Sequence, residues 1–156
     1  PSSRRASDGG QVGGSRFASP RETGALMALL DQIGPATLLV HSAGGASGFA
    51  VARSAPELVD RIVAVEPVGC PTDRQAAVAM GGDAPFMAVY GDYVEPRGQT
   101  GRKAACETTV RLTGEANAAS TMLSLPEEGI RGNTHLLMQD SNNDRIAARI
   151  RSWFSS

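Results

Sequence analysis

Short runs rich in apolar residues recur along the chain, and the spacing between them leaves room for helices. Four such runs predict strands, and they lie at residues 36–40, 62–65, 86–90 and 119–125. The run at 62–65 is apolar at every position, as expected of a parallel strand covered on both faces. Strands that alternate with helices favour a parallel sheet with right-handed crossovers. The sequence therefore predicts an α/β fold, a parallel sheet of about four strands flanked by helices.

The segments between these runs carry helical patterns. In residues 22–33 the apolar positions recur at helical spacing, and a Gly-Pro pair stops the helix. Residues 67–84 hold two prolines and a Gly-Gly pair, which predicts a loop excursion with a short helical patch at 75–80. Further helical patterns are predicted over residues 42–54, 102–116 and 146–154.

The chain is expected to form a single domain. Residues 1–20 are rich in Ser, Arg and Gly and contain no apolar run, so they predict a flexible N-terminal arm. Residues 21–156 then contain all the predicted strands and helices, without internal repeats.

The turn between the first strand and the next helix contains a candidate nucleophile. Val40-His41-Ser42-Ala43-Gly44 is close to the G-x-S-x-G nucleophile elbow, in which a strained backbone projects the serine away from the sheet. Val40 stands where the first glycine is usual, so the turn is expected to be crowded.

The same turn also fits a variant of the dinucleotide-binding fingerprint. Residues 43–48 follow an A-x-G-x-x-G pattern, and amides at a helix start hold a pyrophosphate in such folds. Glu66, about 20 positions further on, would supply the ribose contact. A Rossmann-like dinucleotide-binding module is therefore the alternative interpretation, and a turn without chemistry in a catalytically idle fragment is the third.

Three residues with complementary chemistry follow the ends of predicted strands. A serine hydroxyl becomes a good nucleophile when an imidazole removes its proton and a carboxylate orients that imidazole. The chain has two histidines. His41 should point away from its neighbour Ser42 and pack beneath the elbow, which leaves His135, in the long loop after the fourth strand, as the base.

The acid partner remains open on residue chemistry alone. Glu66 ends the otherwise apolar second strand, where a buried carboxylate is costly without a purpose. Asp92 and Glu95 lie in the loop after the third strand, which is the commoner source of the acid in α/β-hydrolases.

Several segments resemble a group of bacterial serine esterases of the α/β-hydrolase superfamily. The similar segments are residues 40–45, 65–67, 132–135 and 138–144, and the resemblance extends from about residue 24 to 155. In this group the acid is a glutamate that closes the strand after the nucleophile's helix. The resemblance therefore implies Ser42 as nucleophile, His135 as base and Glu66 as acid, on an N-terminally truncated, partial α/β-hydrolase fold.

One departure from this group concerns the oxyanion hole. The esterases of this group have further strands before the elbow, and a loop among those strands supplies a backbone amide to the oxyanion hole. No His-Gly segment precedes the elbow in this chain. Ala43 N–H would be one donor, and the second would come from the Gly9-Gly10 region, from another chain, or not at all. The strand at 36–40 is then expected to leave an edge for self-association or for pairing with the missing N-terminal half.

Composition narrows the function class further. The chain of 156 residues has 15 basic and 16 acidic residues and 4% aromatics, which argues against a nucleic-acid surface. No apolar run approaches the roughly 20 residues of a membrane span, so a soluble protein is expected. Together with the three site residues and the resemblance to serine esterases, this predicts a carboxylic ester hydrolase that acts on a small-molecule ester, without a metal or organic cofactor.

The two cysteines bear on the location of the protein. Cys70 and Cys106 allow one disulfide or two free thiols. A bridge would indicate a secreted or periplasmic protein, whereas free thiols would suit the cytoplasm.

Overall fold

The structure is a computed structural model that describes residues 18–81, 84–116 and 119–155. In chain order the helices and strands are α1 (Pro20–Ile33), β1 (Ala36–His41), α2 (Gly44–Ser54), β2 (Val59–Val65), α3 (Arg74–Gly81), β3 (Phe86–Tyr90), α4 (Thr100–Gly114), β4 (Thr121–Ser124) and α5 (Asn143–Phe154), with short 3₁₀ helices at Pro56–Leu58 and Leu137–Gln139.

The four strands form one parallel sheet in the order β1-β2-β3-β4. In its register His41 lies beside Val65, and Val65 lies beside Val89. The carboxyl ends of β1, β2 and β3 therefore meet at one rim of the sheet. The predicted α/β fold is confirmed.

Helices cover both faces of the sheet. Alternate side chains of β2 separate the two apolar clusters: Ile62 and Ala64 belong to the first, Val63 and Val65 to the second. The first cluster contains side chains from α1, α2, α3 and α4, whereas the second is closed by α5. This arrangement explains why the run at 62–65 is apolar at every position.

Some element boundaries differ from the predicted ones. Helix α1 begins at Pro20, because Ser19 Oγ accepts a hydrogen bond from Glu22 N at 3.3 Å and caps the helix. The helical patch in the predicted loop excursion forms α3, whose first turn is held by Asp73 Oδ1, the acceptor for Ala76 N at 2.8 Å. The predicted flexible arm stays a prediction, because residues 1–17 lie outside the described part of the chain.

Strand β1 is an edge of the sheet among the described residues, since β2 is the strand that pairs with it. Leu38 is buried, but Leu39, on the opposite face, is 61% exposed. The predicted apolar edge at this strand is therefore present. Within the described ranges, no helix is long and apolar enough to cross a membrane.

A disulfide joins Cys70, in the segment after β2, to Cys106 in α4. Both cysteines are buried. The bridge therefore attaches the segment that follows the second strand to the helix that follows the third.

Candidate active site

Ser42 occupies a sharp corner between β1 and α2. Its φ of 50° lies in the left-handed region, which is unusual for a residue with a side chain. Two hydrogen bonds fix the corner: Ser42 N donates to Val65 O at 3.1 Å, and Val68 N donates to Ser42 O at 2.8 Å. A Cβ at Gly45 would lie 2.5 Å from Pro67 Cβ, so the helix start needs a glycine to approach this segment.

The crowding expected from Val40 is accommodated one helical turn into α2. A Cβ placed on Gly48 would lie 2.8 Å from Val40 Cγ1. Valine therefore fits where the elbow pattern has its first glycine, because Gly48 leaves the space that the Val40 side chain occupies.

Three predicted residues come together at the rim of the sheet. The distance between Ser42 Oγ and His135 Nε2 is 2.9 Å, and that between His135 Nδ1 and Glu66 Oε2 is 2.6 Å. With the Nδ1 proton donated to the carboxylate, Nε2 accepts the hydrogen bond from the serine hydroxyl. Ser42 and His135 are half-buried, whereas Glu66 is fully buried. This geometry is able to move a proton from the serine to the imidazole.

The Glu66 carboxylate is surrounded by donors. Arg97 donates from Nη1 to Oε2 at 2.6 Å and from Nη2 to Oε1 at 2.8 Å, and Gly91 N donates to Oε1 at 3.0 Å. Burial raises the pKa of Glu66, but the hydrogen bonds from Arg97, His135 and Gly91 outweigh it and lower the pKa below its usual value. The carboxylate is therefore ionised at neutral pH. Since protein donors engage both of its oxygens, it is not free for the ribose contact of the dinucleotide-binding alternative.

The two alternative acids have other partners. Asp92 Oδ2 accepts a hydrogen bond from Asn133 N at 3.1 Å, and its Oδ1 lies 3.8 Å from Arg131 Nη1. Glu95 is exposed. The structure thus brings Glu66, and neither of these two carboxylates, to the imidazole of His135.

A network of side chains holds the loop that carries His135. Asp140 Oδ2 accepts from Thr134 N at 2.8 Å and from Asn133 Nδ2 at 3.2 Å, and Asn133 Nδ2 also donates to Asn142 Oδ1 at 2.7 Å. Burial raises the pKa of Asp140, but hydrogen bonds from Thr134 and Asn133 lower it overall. Hydrogen bonds therefore join the Gly-Asn-x-His segment (residues 132–135) to the Asp-x-Asn segment that follows it (residues 140–142), and they hold the loop around His135.

The sequence had predicted that His41 packs beneath the elbow. In the structure its ring lies beside that of His135 instead. Its Nε2 donates to the backbone oxygen of His135 at 2.8 Å, and the two ring centroids are 4.6 Å apart. The second histidine of the chain therefore supports the backbone that carries the first.

Ala43 stands at the N-cap position of α2. Gly45 N donates to Ser42 O at 3.1 Å and Ala46 N donates to Ala43 O at 3.2 Å, so these two amides of the first turn already have acceptors. The predicted oxyanion donor, Ala43 N–H, precedes them in the chain. The Gly9-Gly10 region, expected as one source of a second donor, lies outside the described residues.

Comparisons with known proteins find similarity to a lipase and to an esterase. No family model matches the chain. A protein described as probable secreted lipase phiG, from Fungal sp. (strain ATCC 74256), is 27% identical, and the match covers 84% of this chain and 49% of that protein. The solved structure of a novel bacterial esterase is 32% identical with a TM-score of 0.78, and it matches 85% of this chain and 42% of its own.

The resemblance to α/β-hydrolase esterases is confirmed. The chain spans about half the length of the relatives that it matches. The α/β-hydrolase fold is therefore present in part, which agrees with a sheet that ends at the exposed β1 edge.

Sequence reasoning missed Arg97, whose guanidinium donates two hydrogen bonds to Glu66. The available signal was its place in the loop after β3, the strand next to the one that ends in Glu66. A long cationic side chain there is able to reach the end of the neighbouring strand. His41 was predicted to pack in the interior, because a strand pattern does not show which loop lies beside a side chain.

Proposed function

We propose that the chain is part of a serine hydrolase that cleaves carboxylic esters. Ser42 is the nucleophile, His135 is the general base and then the general acid, and Glu66 orients His135. The observation that supports this proposal most directly is the continuous hydrogen-bonded series from Glu66 Oε2 through both ring nitrogens of His135 to Ser42 Oγ, with distances of 2.6 and 2.9 Å.

The reaction follows from the order of these groups. As Ser42 Oγ forms a bond to the ester carbonyl carbon, its proton passes to His135 Nε2, and Glu66 stabilises the imidazolium through Nδ1. The carbonyl oxygen becomes an oxyanion and receives a hydrogen bond from Ala43 N–H. The carbon–oxygen bond to the alcohol then breaks, the alcohol takes the proton from His135, and an acyl-enzyme remains. Water then attacks the carbonyl carbon of the acyl-enzyme while His135 takes its proton. The bond to Ser42 Oγ breaks, the proton returns from His135 to Ser42, and the carboxylic acid is released.

Ester substrates are proposed because the two relatives are described as a lipase and an esterase. Apolar side chains follow His135 directly, and Leu136 and Met138 are 43% and 46% exposed. Leu137 and Met138 line an apolar groove together with Leu39 of the edge strand. We propose that part of this apolar surface contacts the acyl group of a small-molecule ester.

The second oxyanion donor is proposed to come from outside the described residues. Within the described residues, β1 pairs with β2 on one side and has an exposed Leu39. The relatives are about twice as long as the matched region. We propose that a strand of the remaining half of the fold pairs here and brings that donor. Sedimentation velocity separates this arrangement from self-association, because self-association would give dimers of this chain alone.

An oxidising location is proposed from the disulfide. Cys70 and Cys106 are bridged and buried, and disulfides persist in secreted and periplasmic proteins. One relative is described as secreted. Thiol alkylation of the freshly isolated protein, followed by mass measurement, should find neither cysteine modified before reduction.

Labelling with a fluorophosphonate tests the proposed function. We expect one adduct, mapped by mass spectrometry to Ser42, and loss of labelling in Ser42→Ala and His135→Gln. The matched control is Ser47→Ala, because Ser47 is a buried serine of α2 that hydrogen-bonds to Glu22 Oε2 at 2.8 Å. Absence of labelling in the folded chain, or an adduct on another residue, would contradict the proposal.

A further inference from the structure

Glu66 places a negative charge where water does not reach. Its side chain is 0% exposed at the carboxyl end of β2, with a φ of 41°. A carboxylate removed from water favours its neutral form unless donors and a positive charge compensate for the lost hydration. A protonated Glu66 would no longer accept the Nδ1 proton of His135 as an anion.

We propose that Arg97 is a positioning residue for this site, which keeps Glu66 ionised and turns its Oε2 towards His135. The two parallel hydrogen bonds of 2.6 and 2.8 Å from the guanidinium use both carboxylate oxygens, so they fix the plane of the carboxylate as well as its charge. The role of Arg97 in catalysis rests on the proposed function, whereas its effect on the charge of Glu66 does not.

The guanidinium is itself held in place by its own loop. Arg97 Nη2 donates to Asp92 O at 2.7 Å, and Nε donates to Tyr93 O at 3.0 Å. The left-handed φ of 60° at Tyr93 marks the bend that turns these carbonyl groups towards the arginine. These four contacts use four of the five N–H donors of the planar guanidinium. Lysine has three donors on a single nitrogen atom, so it is not an equivalent replacement.

The other charged groups near Glu66 do not replace Arg97. His135 donates one hydrogen bond to the carboxylate. Burial, followed by the charge of Glu66, raises the pKa of Tyr90, which stays neutral with its hydroxyl 3.3 Å from Cys106 Sγ. Asp140 is an anion whose charge acts on Arg97. Among the described residues, Arg97 is therefore the permanent positive charge that is bonded to Glu66.

Removal of the guanidinium should reverse the balance at Glu66. Burial, the largest influence on its pKa, acts upward and would then be opposed by the weaker donors alone. Loss of an adjacent cation typically raises the pKa of a carboxyl by about one to three units. Glu66 in Arg97→Met should therefore take up a proton at a higher pH than in the native chain.

A direct titration tests this without any catalytic assay. Side-chain carboxyl signals of isotope-labelled glutamate are followed by NMR against pH, and the Glu66 signal is assigned by its loss in Glu66→Gln. We expect the titration of Glu66 to move upward by about one to three pH units in Arg97→Met. Arg111→Met is the matched control, because Arg111 forms an exposed ion pair with Glu115 at 2.6 Å and the net charge changes equally. A Glu66 titration equal to that of the native chain would overturn the inference.

The pH dependence of the reaction tests the positioning role. In Arg97→Met the acid limb of the rate of ester hydrolysis or Ser42 labelling should move upward, with recovery towards the native rate in alkaline solution. A merely structural role would lower the rate equally at every pH, and that result would overturn the inference. Arg97→Lys should keep the acid limb close to the native position but lower kcat without raising KM, because the charge remains and the fork is lost.

The two variants keep the inference testable if one of them does not fold. Thermal unfolding is measured for each, and where Arg97→Met is unfolded, Arg97→Lys decides through kcat: an unchanged kcat would contradict the orienting role. A native chain whose Ser42 does not react would contradict the proposed function. The glutamate titration would still decide whether Arg97 holds the charge on Glu66.

Discussion

Glu66→Gln is the substitution that separates the proposed acid from its alternatives. It keeps the shape of the side chain but replaces one oxygen by an NH₂ group. In the position of Oε1 this group would face two donors, Gly91 N–H and Arg97 Nη2. In the position of Oε2 it would face Arg97 Nη1 and His135 Nδ1. Either orientation therefore brings donors against donors.

The expected loss has a catalytic and a structural part. With the NH₂ group in the position of Oε2, nothing accepts the Nδ1 proton, so His135 adopts the other tautomer. Its Nε2–H then faces Ser42 Oγ and is unable to take the serine proton. The corresponding change from aspartate to asparagine in serine proteases lowers kcat by about 10⁴-fold, equivalent to about 5 kcal/mol. Breaking a buried ion pair costs about 3–5 kcal/mol of stability, and we expect about 3 kcal/mol because the Arg97 side chain is 22% exposed.

Two measurements test these values. Hydrolysis of a nitrophenyl ester gives kcat, and urea unfolding gives the free energy of unfolding. Asp92→Asn is the control, because Asp92 accepts a hydrogen bond from Asn133 N and does not contact His135, and we expect it to lower kcat by less than about tenfold. If Asp92→Asn abolishes turnover and Glu66→Gln does not, the assignment of the acid is wrong.

Three further predictions concern the segments that hold the site. Replacing both Cys70 and Cys106 with serine opens a loop with a sequence separation of 36 and should lower the free energy of unfolding by about 4 kcal/mol, measured in urea; a change below about 1 kcal/mol would contradict it. Gly48→Ala should cost about 1–3 kcal/mol, and the added Val40→Ala should restore most of that loss; equal loss in single and double variants would refute the contact. Asp140 has a lowered folded pKa, so its stabilising effect is present above its ordinary value of 3.8 and is lost as pH falls through the folded value. Asp140→Asn should flatten the stability profile in that acidic range, and an unchanged profile would refute this.

The fold was predictable because its strands are short and apolar, and the central strands β2 and β3 are buried along most of their length. The apolar runs at 36–40 and 86–90 predict β1 and β3 to within one residue. Strand β2 was predicted too short, since Asp60 and Arg61 interrupt the apolar pattern although they belong to the strand. Arg61 lies there because its guanidinium donates to the last carbonyl groups of α5, a contact between distant parts of the chain.

The candidate site was predictable in part, for a topological reason. Ser42 and Glu66 follow adjacent parallel strands, so their proximity follows from the strand order alone. Arg97 and His41 were not predictable as site residues, because loop conformation brings them to Glu66 and His135 across separations of 31 and 94 residues. No periodicity or spacing encodes such contacts.

The strained residues of this rim suggest how the site is held. Ser42 and Glu66 both adopt left-handed backbone conformations, each at a cost of about 1–3 kcal/mol, directly after a strand. In each case the N–H of the strained residue extends the ladder of the sheet by one more hydrogen bond, from Ser42 to Val65 O and from Glu66 to Val89 O. Parallel pairing therefore continues to the position where the chain turns, which fixes where each turn occurs. The proposed nucleophile and acid are thus positioned by the register of the sheet, whereas His135 depends on the polar network around Asp140. Substitutions in that network should consequently change the position of the base while leaving Ser42 and Glu66 in place.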